Sequence, residues 1–262
     1  MTEAEYRAAA GINWSTLKYM RDSPMAYQHA VMVPRADSAP LMLGRAVHTL
    51  VLQPDQFDAQ FVVWDGGDRC GKAWLEFAEA NSARTILKMD EMALASRIAD
   101  AVLSNAAARD VLEQCEREVP LVWTDPATGL LCKARPDART SRGGILADLK
   151  TTRSADNRRF GLECARLGYA LQLAHYAAGC EHAAGFVPER HILIAVEKAA
   201  PHDVGVFEVA DMHKELARDE VAMLLQRVKE CRAERRWPGR YAEPQILQLP
   251  AYVEGELEIE EL

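Results

Sequence analysis

Between residues 117 and 149 the chain gives up helical spacing for alternation, and this interval constrains the fold more than any other. Val119, Leu121 and Trp123 fall on every second residue, the period of a strand with one buried face. Asp125-Pro126-Ala127-Thr128-Gly129 is turn chemistry, and further strands are expected at 130–135 and 144–149. A second turn near Ser141-Arg142-Gly143-Gly144 would fold these strands into an antiparallel meander.

Helical patterns flank the meander. Residues 13–33 read as helix, with Asn13 or Ser15 as cap and a fresh start at Ser23-Pro24, because proline suits a first turn. Residues 40–52 form an apolar helix ended by Pro54. A short strand at Phe61 to Trp64 and a Gly-rich loop precede helices at 73–81 and 89–115. After the meander come a long helix at 158–182, an apolar strand from His191 to Glu197, and a partner strand from Val204 to Val209. An amphipathic helix at 211–236 ends at Trp237-Pro238-Gly239, and the tail from Glu254 is acidic and expected to be solvated. The expected class is α/β, with a mixed central β-sheet flanked by helices and an N-terminal helical segment. One domain is expected over 1–262, with a mostly helical part at 1–115, the sheet and its helix at 116–210, and the last helix and tail at 211–262.

The 262 residues are ample for a core, and 49% hydrophobic with 27% charged residues is ordinary for a soluble domain. No apolar run is long enough to cross a bilayer, and the first residues lack the basic and apolar regions of a secretory signal. A cytoplasmic protein with no membrane partner is therefore expected. The six cysteines, Cys70, Cys115, Cys132, Cys164, Cys180 and Cys231, form no C-x-x-C pair. This argues against a zinc ribbon and for reduced, mostly buried thiols.

The net charge of −8 argues against a passive nucleic-acid coat, which would be basic. It leaves room for a site that gathers carboxylates for a cation beside a local basic patch. From Lys133 to Arg166 nine basic residues outnumber four acidic ones, so the charge is distributed in that way.

Two short stretches inside this basic region carry the chemistry. In Asp148-Leu149-Lys150 the outer residues are two apart, so both point to one face of a strand. Arg135-Pro136-Asp137 would bring a second carboxylate to the same sheet end. Two carboxylates and an ammonium suit phosphodiester hydrolysis. The carboxylates hold a hard cation that polarises the phosphoryl oxygen and lowers the pKa of a water, and the lysine orients that water or stabilises developing charge. Taken alone, an Asp at a turn and an Asp-x-Lys pair are common, and a surface ion pair explains them equally well. Three features add weight. Thr151 and Thr152 follow the lysine, with Arg153, Arg158 and Arg159 after them as candidate phosphate contacts; for the arginines an ordinary solvated face is an equal reading. Gln172 and Tyr176 lie four apart on one helical face. His48 follows Gly44 by one turn on an apolar helix, although a lone histidine there is more often a core or boundary residue.

Taken together these residues resemble the RecB/Cas4-like branch of the PD-(D/E)xK superfamily, and within it the RecE-type (exonuclease VIII) phage and prophage exonucleases. The resemblance runs from Asn13-Trp14-Ser15-Thr16-Leu17-Lys18 and Ser23-Pro24, through Gly44-x-x-x-His48 and Leu52-Gln53-Pro54-Asp55-Gln56-Phe57. It continues through Glu118, Arg135-Pro136-Asp137 and Asp148-Leu149-Lys150-Thr151-Thr152 to Gly168-Tyr169-x-x-Gln172-x-x-x-Tyr176. It implies a restriction-endonuclease-like core. Asp137, Asp148 and the Leu149 backbone carbonyl would be metal ligands, joined by His48 and, more weakly matched, Glu118. Lys150 would be the catalytic lysine, and Gln172 and Tyr176 would support the site and contact DNA. The implied cofactor is Mg2+, with Mn2+ able to substitute. Pro24 has no nearby cysteine and the C-terminal end has only Cys231, so no iron–sulfur cluster is expected.

The implied activity is 5′-to-3′ degradation of one strand from linear double-stranded DNA ends. It would leave a 3′ single strand for a partner annealing protein in recombination, performed by a homo-oligomeric, tetrameric ring. Three rival readings stand beside it: an endonuclease or single-strand nuclease of the Cas4-like branch, a DNA-binding or scaffold module whose site has retired, and a soluble α/β protein with no nucleic-acid partner.

Overall fold

The computed structural model describes residues 3–33, 38–241 and 243–247; the acidic tail from Glu254 lies outside them. The chain begins with helices α1 (Glu3–Ala8), α2 (Trp14–Leu17), α3 (Pro24–Met32), α4 (Ala39–Leu52) and α5 (Phe57–Gln60). Strand β1 (Phe61–Trp64), helix α6 (Gly71–Ala80), strand β2 (Thr85–Lys88) and helices α7 (Met89–Ser104) and α8 (Ala106–Glu113) follow. The centre holds β3 (Glu116–Arg117), β4 (Leu121–Thr124), β5 (Leu131–Ala134), β6 (Ala138–Arg139) and β7 (Gly144–Thr152). Then come α9 (Asn157–Leu167), α10 (Tyr169–Gly179), β8 (Pro188–Glu197), β9 (Val204–Glu208) and α11 (Asp211–Glu234).

The main sheet has five strands in the order β3-β6-β7-β8-β9. It is mixed: β7 and β8 run parallel, and the other neighbours are antiparallel. The α9–α10 crossover makes the parallel pair, since parallel strands cannot be joined by a tight turn. The expected meander is split in two. β4 and β5 form their own antiparallel ladder, whereas β6 pairs with β7. Pro136, which has no N–H for a ladder, stands between β5 and β6 at the point of division.

The alternation along β7 sorts its residues onto two cores. Ile145, Ala147 and Leu149 join Ile192, Ile194 and Val196 of β8 against α4 and α7. Leu146 joins Leu193, Ala195, Leu171, Leu173 and the buried side of α11 on the opposite face. Asp148 and Lys150 share parity with Leu146, so they lie on the α10 side.

Three further features depart from expectation. The helix expected at 158–182 breaks at Gly168, which has φ +71° and caps α9 by donating its N–H to the Cys164 carbonyl at 2.8 Å. A Cβ there would stand 2.9 Å from the Trp14 ring, so both the backbone and the neighbour require glycine. The helix expected at 89–115 is two helices, restarted by Asn105, whose side chain accepts the Ala108 N–H at 3.0 Å. Strand β2 was not expected, and it pairs in parallel with β1. Asn13 is the cap of α2, accepting from Thr16 N at 3.0 Å, and Ser23 caps α3. All six cysteines are free; Cys132, Cys180 and Cys231 are buried and Cys70 is exposed. No helix among the described residues is long and apolar enough to cross a membrane.

Candidate active site

An open cleft of about 680 Å³ lies at the C-terminal end of β7, with α4 on one side and the α9–α10 junction on the other. Its wall includes His48, Glu118, Asp137, Leu149 and Lys150. Each reaches the cleft for a local reason. The α4 backbone passes close to the strand end, since a Cβ on Gly44 would meet Thr151 Oγ1 at 3.6 Å, and His48 follows one turn later. Glu118 has φ +56°, an uncommon conformation for a side chain that is not Gly, Asn or Asp. This inverted backbone still donates its N–H to the Asp137 carbonyl at 3.1 Å, and its carboxylate pairs with Arg135 at 2.5 Å. Asp137 lies just before β6, and its Oδ2 accepts the Leu149 N–H at 2.7 Å.

One donor atom each from His48, Glu118 and Asp137 lies within 4.8 Å of the others. His48 Nδ1 is 3.4 Å from Asp137 Oδ2. Asp148 is deeper, at 1% exposure. Burial pushes its carboxyl up to about 6; the Asp137 charge adds to this, and Lys150 and His48 oppose it. Two or three carboxylates crowded with one imidazole make an excess of negative charge around hard oxygen donors. That donor set fits a divalent cation.

Lys150 is held from three sides. It forms an ion pair with Asp148, donates to Gln172 Oε1 at 2.8 Å, and lies 4.5 Å from the centre of the Tyr169 ring. Gln172 uses its other end as well: Nε2 donates to Asp148 Oδ1 at 3.0 Å and to Tyr176 Oη at 2.8 Å. The amide can serve both partners because its oxygen accepts and its NH2 donates. Burial raises the Tyr176 phenol well above its usual value, so it stays neutral.

The structure thus brings together His48, Glu118, Asp137, Asp148, Lys150, Gln172 and Tyr176. Of the candidate phosphate contacts, Thr151 and Arg153 reach the cleft wall. Arg158 and Arg159 are exposed on the first turn of α9 and are not part of that wall. Thr152 points inward at 1% exposure, with its hydroxyl engaged by the Ser154 carbonyl and the Glu163 carboxylate. Two residues of the basic stretch also serve the fold. Lys133 donates to the carbonyls of Tyr6 at 3.0 Å and Ala9 at 2.6 Å, which docks α1, and Arg139 packs over Phe186.

Sequence reasoning missed Tyr169, Arg166 and Lys198 as cleft residues. The parallel β7–β8 register would have found Lys198, because it sets that residue beside the end of β7, with its N–H on the Thr152 carbonyl at 3.0 Å.

Residues 13–249 match the family model of the PDDEXK-like domain of unknown function (DUF3799). The chain belongs to the PDDEXK-like family. A solved protein from Eubacterium rectale named "Putative exonuclease" superposes with a TM-score of 0.65 at 14% identity, covering 96% of each chain. That likeness shows a shared fold. The structure of LHK-Exo in complex with dAMP gives a TM-score of 0.30 at 14% identity, covering 75% of this chain and 95% of that one, too slight an overlap to argue from. No curated protein matched the sequence. As a PDDEXK-like domain, the chain is a nuclease.

Proposed function

We propose that this PDDEXK-like nuclease is a divalent-metal-dependent exonuclease on linear double-stranded DNA. The observation that carries the reading is one convergence: the donors of His48, Glu118 and Asp137 meet at the mouth of the cleft where Gln172 fixes Lys150. Asp137, Asp148, His48 and Glu118, with the Leu149 carbonyl, would hold the metal. Mg2+ is the expected ion, and Mn2+ a substitute. When bound, the cation polarises the phosphoryl oxygen and acidifies a water.

The chain's own residues do the rest. Lys150 orients the attacking water or stabilises charge on the phosphoryl oxygens, and Gln172 keeps its ammonium aimed at the cleft. Tyr176 locks Gln172 from behind. Thr151, Arg153 and Lys198 offer donors to the DNA backbone on the cleft wall. The family resemblance supports the finer reading: 5′-to-3′ polarity, a 3′ single strand left for an annealing protein, and a homo-oligomeric ring. A basic cleft inside an otherwise acidic protein is consistent with a net charge of −8, since a focused local field steers DNA without net positive charge. The test is linear duplex labelled at either end beside closed circular duplex. Release of 5′ label from the linear form alone supports the reading, whereas cutting of the circle converts it to an endonuclease.

A further inference from the structure

A second open cleft adjoins the first. Arg166 and Leu167, at the end of α9, line both. The second measures about 940 Å³ and lies between Lys18-Tyr19-Met20-Arg21-Asp22 and the α11 face that carries Glu220, Met223, Leu224 and Arg227. Its charges are unevenly matched. Asp22 is engaged by Arg240 at 3.0 Å, and Glu220 by Arg21 at 2.9 Å. Arg21 also donates to the Arg166 carbonyl at 3.4 Å, which ties the end of α9 to α11 and fixes the wall between the clefts. Arg166 and Arg227 are exposed and form no ion pair among the described residues. Arg153, on the wall of the first cleft, is exposed and likewise without an ion pair.

In a protein of net charge −8, three uncommitted guanidinium groups on two joined clefts are a selective local excess. The surface between the cations is apolar. Tyr19 is half-buried, and Leu167 and Met223 are exposed at 38% and 65%. Cations beside an aromatic and aliphatic surface are what unpaired nucleotides need, with phosphates on the arginines and base faces on the apolar groups. A duplex hides its base faces and gains nothing from that surface.

Resting on the nuclease reading, we propose that this second cleft binds single-stranded DNA, continuing from the active site past Arg166 to Arg227. The test is fluorescence anisotropy in EDTA, so that the strands stay intact, using a blunt-ended hairpin duplex and a single-stranded oligonucleotide across a salt series. Wild type is compared with Arg227→Glu and Arg227→Lys. Arg227 lies away from the metal donors, and its exposure makes both variants tolerable to the fold. Arg227→Glu should weaken single-strand binding about tenfold and lower its salt slope by about one, with hairpin binding unchanged and Arg227→Lys close to wild type. Unaltered single-strand affinity in Arg227→Glu, or equal losses on both ligands, overturns the proposal while leaving the nuclease reading in place. If wild type binds neither ligand, the single-strand proposal falls, and the nuclease reading is judged by the cleavage assay in Mg2+.

Discussion

Asp137 Oδ2 accepts the backbone N–H of Leu149 at 2.7 Å, so one carboxylate is anchored to the strand that carries the other. β6 pairs with β7 only through Ala138 and Arg139, which face Ala147 and Leu146. Beyond that short ladder a side chain takes over the role of a strand neighbour. The bond ties Asp137 to the strand that carries Asp148, and the same oxygen lies 3.4 Å from His48 Nδ1.

Metal binding should therefore be visible as stabilisation. A ligand at roughly a hundred times its Kd adds about 2.7 kcal/mol to folding, which for a chain of this size raises Tm by roughly 5–10 °C. Mn2+ should do this for wild type and not for Asp137→Ala, with His48→Ala intermediate. Thermal unfolding with and without the ion checks it, and equal shifts in all three proteins would place the ion elsewhere.

Gln172→Ala should lower kcat by about ten- to a hundredfold with little change in KM for DNA, because the lost bonds position Lys150 and Asp148 and do not themselves bind substrate. Tyr176→Phe removes only the Gln172 contact at 2.8 Å and should cost less. Steady-state kinetics on one linear duplex decide this; a KM effect as large as the kcat effect would assign Gln172 to DNA binding.

Stability should fall in acid because two buried histidines outside the metal donors must take up protons on unfolding. Burial lowers His175 to about 4, although its Nε2 is 3.2 Å from the Lys133 carbonyl, and His191 is lowered to about 4 as well. A histidine whose folded pKa lies below its unfolded value of 6.5 binds more protons when unfolded. Stability is then complete above about pH 6.5 and is lost as pH falls toward 4. For His175 alone the loss is on the order of 3 kcal/mol. Denaturant unfolding between pH 7 and 4 should show a shallower decline in His175→Gln, with the His191 share remaining. An unaltered slope would mean that His175 is not buried neutral.

Gly168→Ala should destabilise by more than about 1 kcal/mol. Alanine adds strain at φ +71° and drives a methyl to 2.9 Å from the Trp14 ring. Because Gln172 starts one turn later on α10, activity should fall with stability. A Tm within a degree of wild type would refute both arguments.

The legible parts of the fold were those written in local pattern. Asp148 and Lys150 share a strand face by parity alone, and Gln172 and Tyr176 share a helix face by their spacing of four. The helix break at Gly168 was not legible, because apolar residues keep helical spacing on both sides of it and only the Trp14 contact makes the glycine obligatory. Lys198 was missed because parallel pairing of β7 with β8 is a long-range fact with no turn to announce it. Thr152 looked like a phosphate ligand because it shares the Lys150 face of the strand, yet it is buried with its hydroxyl spent on the Ser154 carbonyl and the Glu163 carboxylate, partners that local pattern does not announce. Glu118 reached the metal donors through a left-handed backbone that no propensity would have suggested.

The most direct test of the central claim is release of mononucleotides from linear duplex DNA by wild type and by Asp148→Ala, each with Mg2+ and with EDTA. Release by wild type in Mg2+ alone, with none from Asp148→Ala under either condition and an unfolding transition for the variant close to wild type, is the predicted result. Undiminished release by Asp148→Ala, or by wild type in EDTA, would contradict the assignment of this cleft as a metal-dependent active site.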